Sequence, residues 1–310
     1  DLVLAGEWMP VTFLKNEKGI FKDVTASTGV QSKIGWWNSI VAGDFDNDGN
    51  MDYIVGNLGL NSFYKASDKY PVSIIAKDFD NNGTYDAFSS VYLPTSQTDT
   101  TRKDFPADSR DDIFKQMIGI RKRFENYKSF AVAPMDSVLT EVQRKGALQL
   151  HANYLYSALL KNEGNGKFVL IPLPAQAQFS AINGMSAGDF DGDGNLDVLI
   201  NGNDFGTEVN LGRYDALSGL LLKGDGKGNF DALSILQSGI YIPGNGKALV
   251  ALKNKSGKYL IAASQNKGPL KLFELKKNVR TINLKPLDET VILTYKNGKK
   301  QKQEIGYGSS

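Results

Sequence analysis

Short apolar or alternating runs, separated by turns rich in asparagine and glycine, recur along most of the chain. The clearest examples run from strand through turn to strand over residues 11–24, 156–173, 220–236, 249–263 and 291–305. Each has the pattern of a β-hairpin, because asparagine and glycine accept the backbone angles that tight turns need. Many such hairpins predict an all-β repeat fold. A β-propeller, or part of one, is the architecture in which four-stranded blades stack to bury their faces.

A different period appears between residues 106 and 153, where turn signals become sparse. Ser109-Arg-Asp-Asp112 has the form of a helix capping box. Apolar residues follow it at helical spacing, and Asp136–Val142 suggests a second short helix. We therefore expect a helical insertion between two strands. The residues expected to share one helical face are Ile113, Phe114, Met117, Ile118 and Phe124.

One nine-residue pattern occurs at residues 44–52 (loop 1), 78–86 (loop 2) and 189–197 (loop 3). Oxygen-bearing side chains stand at positions 1, 3, 5 and 9, phenylalanine at position 2 and glycine at position 6. With a backbone carbonyl at position 7, this is the ligand order of a calcium loop. The predicted ligands are Asp44, Asp46, Asp48, Asn50 and Asp52 in loop 1; Asp78, Asp80, Asn82, Thr84 and Asp86 in loop 2; and Asp189, Asp191, Asp193, Asn195 and Asp197 in loop 3.

The flanks of these loops exclude an EF-hand, which needs a glutamate at position 12 and helices on both sides. Position 12 is Val55, Ser89 or Ile200, and the flanking residues have the pattern of strands. The alternative is a set of ordinary turns without metal, since aspartate, asparagine and glycine are common in turns. Three copies in register favour calcium, so we expect one structural Ca²⁺ in each loop.

Loop 2 departs from the other loops because Asn82 replaces an aspartate at position 5. It offers three carboxylates where loops 1 and 3 offer four. Since ligand charge helps to set calcium affinity, we expect loop 2 to release its ion first.

Composition excludes several kinds of site. The 310 residues include no cysteine and a single histidine, His151. Disulfides, thiol catalysis, cysteine-ligated zinc and multi-histidine sites are therefore ruled out. No apolar run approaches the roughly 18 residues of a membrane span. The net charge of +2 and the lack of an arginine–aromatic patch give no nucleic-acid signature.

The start of the chain resembles the end of an acidic loop. Asp1-Leu-Val-Leu is similar to Asp52-Tyr-Ile-Val and Asp197-Val-Leu-Ile. We expect Asp1 to be the last ligand of a fourth loop, with targeting signals upstream. Exposed calcium loops usually need the millimolar calcium found outside cells, so we expect an exported protein.

The loops with their flanks, such as residues 187–200, resemble FG-GAP/VCBS repeats, which form the calcium-braced blades of integrin-α-type propellers. Other segments resemble large exported VCBS-repeat proteins of Bacteroidetes, and residues 291–308 resemble a truncated ASPIC/UnbV-type C-terminal segment. The other segments that carry this resemblance are Gly35–Asn38, Gly56–Asn61, Ser109–Asp112 and Gly212–Ala216. The resemblance implies a cell-surface or secreted propeller with calcium sites.

These patterns divide the chain into four expected parts. Residues 1–105 are propeller blades with two calcium loops, and residues 106–153 are the helical insertion. Residues 154–278 are further blades with one calcium loop, and residues 279–310 are the C-terminal β segment.

The leading functional expectation is a non-enzymatic surface module that binds a protein or glycan on a propeller face or on the insertion. One alternative is an accessory subunit of an outer-membrane nutrient-capture complex. Another is a glycan-active enzyme with its site on the propeller face, since carboxylate pairs suited to glycoside hydrolysis are not excluded.

Overall fold

Antiparallel β-strands make up most of the regular structure in the computed structural model, which describes residues 1–96, 98, 101–276, 285, 288–295 and 298–305. The strands are β1 (Leu2–Leu4), β2 (Glu7–Met9), β3 (Thr12–Glu17), β4 (Ile20–Asp23), β5 (Gly35–Trp36), β6 (Ser39–Gly43), β7 (Asp52–Gly56), β8 (Val72–Lys77), β9 (Asp86–Pro94), β10 (Arg102–Pro106), β11 (Leu148–Ala152), β12 (Ala158–Gly164), β13 (Lys167–Pro172), β14 (Ile182–Gly188), β15 (Asp197–Gly202), β16 (Leu220–Gly224), β17 (Phe230–Leu233), β18 (Gly246–Lys253), β19 (Tyr259–Gln265), β20 (Lys271–Glu274), β21 (Thr290–Thr294) and β22 (Lys300–Glu304). The helices are α1 (Arg110–Gln116), α2 (Tyr127–Ala131), α3 (Met135–Val138), α4 (Glu141–Arg144) and α5 (Ile235–Ser238). Short 3-10 turns occupy Thr25–Ser27, Ile118–Lys122, Ala175–Gln178 and Val209–Leu211.

The chain divides into two compact units. Unit 1 comprises residues 1–32, 36–63 and 155–310, and unit 2 comprises residues 33–35 and 64–154. This division differs from the expected boundary at residue 106, because the helices of residues 110–144 belong to the same unit as β8, β9 and β10.

Unit 1 contains the sheets β1-β3-β4, β6-β7-β12-β13, β14-β15-β16-β17 and β18-β19-β20. The all-β, propeller-like class expected from the sequence is confirmed. The sheet β6-β7-β12-β13 is interrupted in the sequence by unit 2, since β7 ends at Gly56 and β12 begins at Ala158. Loops 1 and 2 begin only 34 residues apart, at Asp44 and Asp78, which is short for a four-stranded blade. The interruption explains this spacing, because loop 2 belongs to unit 2 and not to the next blade of unit 1.

Burial on both faces accounts for the continuous apolar runs of unit 1. Every residue of β15 is buried. Val198 and Ile200 pack in a cluster with Phe45 and Leu159, whereas Leu199 lies in a second cluster with Leu249 and Ile261. A strand that is covered on both faces has no polar side to alternate with, so it reads as an unbroken hydrophobic segment.

The edges of three sheets of unit 1 are joined by side chains. Ser39 Oγ on β6 donates a hydrogen bond to the carbonyl of Ile182, at 2.8 Å. Asn183 Nδ2 on β14 donates to the carbonyl of Gly246 on β18, at 2.9 Å. Polar side chains here bond to backbone carbonyls of the next sheet and so connect neighbouring sheets in one unit.

Unit 2 packs its helices on the sheet β10-β9-β8-β11. Ser109 caps α1 as expected, because its side chain accepts from the N–H of Asp112. Apolar side chains from the strands and helices form one core. Its buried members include Ile75, Phe88, Ile113, Phe114, Met117, Ile120, Phe124, Met135, Val138 and Leu139.

The structure corrects three details of the sequence expectations. Ile118 is 64% exposed, because α1 ends at Gln116 and the chain continues in a 3-10 turn with a different face. Asp136–Val142 is not one helix, since α3 ends at Val138 and Thr140 caps α4. The strand expected to reach Leu236 ends at Leu233, because Ser234 and Gln237 form the capping box of α5.

Much of the expected C-terminal segment, 279–310, lies outside the described residues. In the described part, β21 pairs antiparallel with β22. Within the described residues, no helix is long and apolar enough to cross a membrane.

Candidate metal centres

Every acidic loop connects two paired strands. Loop 1 joins β6 to β7, loop 2 joins β8 to β9, and loop 3 joins β14 to β15. The residue before each loop lies directly across the ladder from the last loop residue. These pairs are Gly43 with Asp52, Lys77 with Asp86, and Gly188 with Asp197. The strand pairing therefore holds the two ends of each loop directly across the ladder from each other. All three loops span this same gap with nine residues.

Glycine at position 6 makes the turn that folds each loop inward. The φ angles of Gly49, Gly83 and Gly194 are +89°, +89° and +84°, a region that residues with a Cβ rarely adopt. The N–H of each glycine then points back to the first aspartate. The three hydrogen bonds join Gly49 to Asp44 Oδ2 at 3.1 Å, Gly83 to Asp78 Oδ2 at 3.0 Å, and Gly194 to Asp189 Oδ2 at 2.9 Å.

The aspartate at position 9 closes each loop on the phenylalanine at position 2. In each case its Oδ2 accepts from the phenylalanine N–H. The distances are 3.1 Å from Phe45 to Asp52, 3.2 Å from Phe79 to Asp86, and 3.0 Å from Phe190 to Asp197. All three of these aspartates are at most 2% exposed.

In loops 1 and 3 the other oxygen of this aspartate contacts the third strand of the same sheet. Asn162 N donates to Asp52 Oδ1 at 2.8 Å, and Gly224 N donates to Asp197 Oδ1 at 3.0 Å. Asp1 Oδ1 accepts in the same way from Asn16 N, at 2.8 Å. In each of the three sheets, the residue after the aspartate pairs with a leucine of the neighbouring strand. The donor lies two residues after that leucine. Asp1 thus makes the strand contact of a position-9 aspartate, although Asp1 is exposed.

Each loop brings the oxygens of three carboxylates within 4.8 Å of one another. The groups are Asp44, Asp46 and Asp48; Asp78, Asp80 and Asp86; and Asp189, Asp191 and Asp197. Asp44 is 1% exposed, and its Oδ1 is buried with no hydrogen-bond partner among the described residues. A buried anionic oxygen without a donor is costly unless a cation meets it, so the residues of loop 1 fit a hard cation.

Not every predicted ligand belongs to these groups. Asp52 and Asp193 lie outside them, and the position-7 residues Asn50, Thr84 and Asn195 were expected to act through backbone carbonyls. The fifteen-residue ligand set therefore stays a prediction.

Burial changes the acidity of the loops. It raises the pKa of Asp52 and of Asp197 to about 6, and the neighbouring aspartates Asp46 and Asp191 add to that increase. Burial also raises the pKa of Asp44 and Asp86 above the ordinary value. Without a metal, these sites therefore hold a proton more tightly than an exposed aspartate does. A cation provides the alternative way to balance their charge.

Loop 2 is built differently from the other two. The side chains of Asp80, Asn82 and Thr84 are exposed. The start of β9 contacts a helix instead of a third strand, since Ala87 N donates to Gln116 Oε1 of α1 at 2.8 Å. Among the residues that the structure describes, no third strand therefore donates to Asp86 as β12 donates to Asp52 and β16 to Asp197.

Two lysines beside the loops were missed by sequence reasoning. Lys161 Nζ on β12 lies 3.2 Å from Asp46 Oδ2. Lys223 Nζ on β16 pairs with Asp191 and lies 3.1 Å from Asp193 Oδ2. The signal in the sequence is a Leu-Lys pair before a turn, at Leu160-Lys161 and Leu222-Lys223. It becomes readable only when these segments are known to be the third strands of sheets that carry acidic loops.

The comparisons with known proteins agree with this geometry. A model of the FG-GAP-like repeat family matches residues 1–55 and 150–200. These two stretches contain loops 1 and 3 and lie on either side of most of unit 2, whereas loop 2 lies outside them. A search of curated proteins found no match to the chain.

Proposed function

Because the chain carries FG-GAP-type repeats, we propose that it is a calcium-braced, non-enzymatic interaction module that binds a protein or a glycan outside the cell. Repeats of this type are typical of propeller-like interaction modules and of extracellular proteins. The acidic clusters are compatible with calcium.

One observation carries the calcium part of the proposal. Three loops, in two compact units, place three carboxylates each within 4.8 Å at the junction of two paired strands. At that separation the carboxylates repel one another strongly in partly buried surroundings. Bound Ca²⁺ would supply the compensating charge and would accept oxygen ligands from several loop positions at once.

The chain's own residues explain why such an ion would act as a brace. The position-9 aspartate is already fixed by backbone N–H groups, and the position-6 glycine fixes the first aspartate. The remaining carboxylates differ in exposure, since Asp48 and Asp80 are exposed and Asp46 and Asp191 are partly buried. Drawing them together would stabilise the strand connection and hold the sheet edges in register.

The experiment combines a metal count with thermal unfolding. We expect about three Ca²⁺ ions per chain after equilibration in millimolar calcium and gel filtration, by mass spectrometry of the metal. Excess chelator should lower the melting temperature markedly, and added calcium should restore it. Absence of bound metal together with an unchanged melting curve would contradict the proposal.

The interaction part needs its own assay. We expect the calcium-loaded protein to bind members of an immobilised glycan array or surface proteins of the producing cell, and to lose binding in chelator. The same glycans are then incubated with the protein, and released reducing ends are measured. Hydrolysis would favour the glycan-active enzyme over the binding module, whereas co-purification with outer-membrane proteins would favour the accessory-subunit alternative.

A further inference from the structure

Lysine at one strand position recurs next to the acidic loops. In β12 and β16, this lysine follows the leucine that pairs with the residue after the position-9 aspartate: Leu160 pairs with Tyr53, and Leu222 pairs with Val198. The first sheet repeats the arrangement, because Leu14 pairs with Leu2 and is followed by Lys15. The third strand of three sheets therefore carries a lysine at the same register.

Two of these lysines reach the carboxylates predicted to bind the metal. Lys161 Nζ is 3.2 Å from Asp46 Oδ2 and 3.8 Å from Glu163 Oε1. Lys223 Nζ bridges Asp191 and Asp193. Each ammonium group therefore lies beside carboxylates of the acidic loop in its own sheet.

Loop 2 provides the internal comparison. Within the described residues, Asp78, Asp80 and Asp86 form no ion pair with a lysine or arginine. The nearest lysine in sequence, Lys77, donates instead to the carbonyls of Gln143 and Lys145. Loops 1 and 3 contain four aspartates and one lysine partner, and loop 2 contains three aspartates and none. Counting only the aspartates and the lysines that form ion pairs with them, four negative charges and one positive charge give −3 in loops 1 and 3, and three negative charges give −3 in loop 2.

We propose that Lys161 and Lys223 are internal counter-ions that hold loops 1 and 3 together in the absence of calcium and that lower the affinity of these loops for it. The inference rests on the proposed calcium role. An ammonium group beside the carboxylates reduces their mutual repulsion, as a metal would do more strongly. The incoming Ca²⁺ must then displace the lysine or bind beside a positive charge.

The test replaces each lysine by methionine, which keeps the aliphatic stem without the charge. We expect Lys161→Met to raise the calcium affinity of loop 1, and Lys223→Met that of loop 3, by about three- to tenfold. Lys299 Nζ also contacts the side-chain oxygen of Asn195 in loop 3, so the larger change is expected in loop 1. Lys223→Arg, which keeps the charge, should retain the original affinity.

Each loop can be observed separately by NMR. The amide signals of Gly49, Gly83 and Gly194 report on loops 1, 2 and 3, because each amide donates to the first aspartate of its own loop. Calcium is titrated against a competing chelator while these three signals are followed. The matched control is Lys15→Met, which removes the same charge at the same register without a described acidic loop beside it.

A second readout does not depend on calcium binding. In excess chelator, Lys161→Met and Lys223→Met should each lower the melting temperature by about 1–3 °C more than Lys15→Met does. Unchanged or reduced calcium affinity in both lysine variants would overturn the counter-ion proposal and leave the calcium brace standing. A protein that binds no calcium at any loop would overturn both.

Discussion

At the scale of single residues, the aspartates of one loop do different work. Asp52 is surrounded by backbone N–H donors from its own loop and from β12, so it fastens the turn to the sheet. Asp44 is equally buried, but one of its oxygens accepts no hydrogen bond from the part of the chain that the structure describes. Asp52 therefore mainly anchors the turn to the sheet, whereas the buried oxygen of Asp44 is the one that a cation would stabilise.

Acidity should control calcium affinity. The pKa of Asp52 and of Asp197 is about 6 in the folded metal-free protein, against an ordinary value of 3.8. Because the folded value is raised, these groups stabilise the metal-free fold below about pH 3.8 and lose that contribution as the pH rises through 6. Calcium requires the ionised form, so its affinity should fall by up to about tenfold per unit below pH 6.

Calcium titrations at pH 7.5, 6.5 and 5.5 test this prediction. The control is unfolding in chelator over the same range, where the contribution of these two aspartates to stability should change in the opposite direction. Equal calcium affinity at pH 5.5 and pH 7.5 would contradict it.

Loop 2 should release its ion first during chelation. The charge argument for this order is weakened by Lys161 and Lys223, because each of them offsets the additional aspartate of loop 1 or loop 3. Exposure remains, because Asp80, Asn82 and Thr84 are open to solvent, and an exposed site is screened more strongly. The amide signals of Gly49, Gly83 and Gly194 during stepwise addition of chelator give the order directly. If Gly83 is the last to change, the prediction is wrong.

At the scale of elements, loops 1 and 3 touch each other within unit 1. Asn47 Nδ2 donates to Asn195 Oδ1 at 3.3 Å and to the carbonyl of Gly226 at 3.1 Å. Gly226 belongs to the turn between β16 and β17. The side chain of Asn47 in loop 1 thus contacts both Asn195, a predicted ligand position of loop 3, and the turn beside it.

Replacing Asn47 by glycine should therefore weaken both loops. Asn47 has φ +59°, which glycine adopts freely, and loop 3 carries Gly192 at the same position. We expect a loss of about 1 kcal/mol in the free energy of unfolding from the missing hydrogen bonds, and weaker calcium binding in loop 3. Chemical denaturation and the Gly194 amide signal provide the measurements.

The matched control is Asn81→Gly in loop 2. Asn81 has nearly the same backbone angle, φ +58°, and its side chain is exposed. The entropic effect of introducing glycine is then the same in both variants. Equal losses in the two variants would show that the bridge from Asn47 contributes nothing.

At the scale of the whole molecule, the two compact units contain separate acidic loops. Loops 1 and 3 belong to unit 1, and loop 2 belongs to unit 2. The cores are also separate in their membership, with Phe45 and Leu196 in a unit 1 cluster and Phe88 and Ile113 in the unit 2 cluster. Loss of one ion should therefore be felt mainly in the unit that binds it.

Hydrogen exchange in the full chain tests this separation. In millimolar calcium, Asp78→Asn should reduce the protection of β8 and β9, and Asp44→Asn should reduce that of β6 and β7. Each variant serves as the control for the other, since both remove one carboxylate from position 1 of a loop. Uniform loss of protection over both units in either variant would contradict the prediction.

The local code was sufficient for several features. The nine-residue loops, their glycine turns and the hairpins with asparagine–glycine turns depend on neighbours in sequence, and so they could be predicted from the order of residues. The capping of α1 by Ser109 is equally local. The same holds for the all-β class, because alternating and continuous apolar runs express how much of each strand is covered.

Long-range pairing decided the rest. The third strand of the sheet that holds loop 1 returns only after unit 2, so nothing near residue 56 indicates that Lys161 and Asn162 belong beside Asp46 and Asp52. A separate case is Ile118, which is exposed because the backbone changes from α to 3-10 geometry at Met117. The predicted ligand types are therefore encoded by the local sequence. The backbone donors and lysines that contact these aspartates come from other strands. In loop 1 that strand is more than a hundred residues away in the sequence, and in loop 3 it is the third strand of the same sheet. Only the tertiary structure brings these groups into contact.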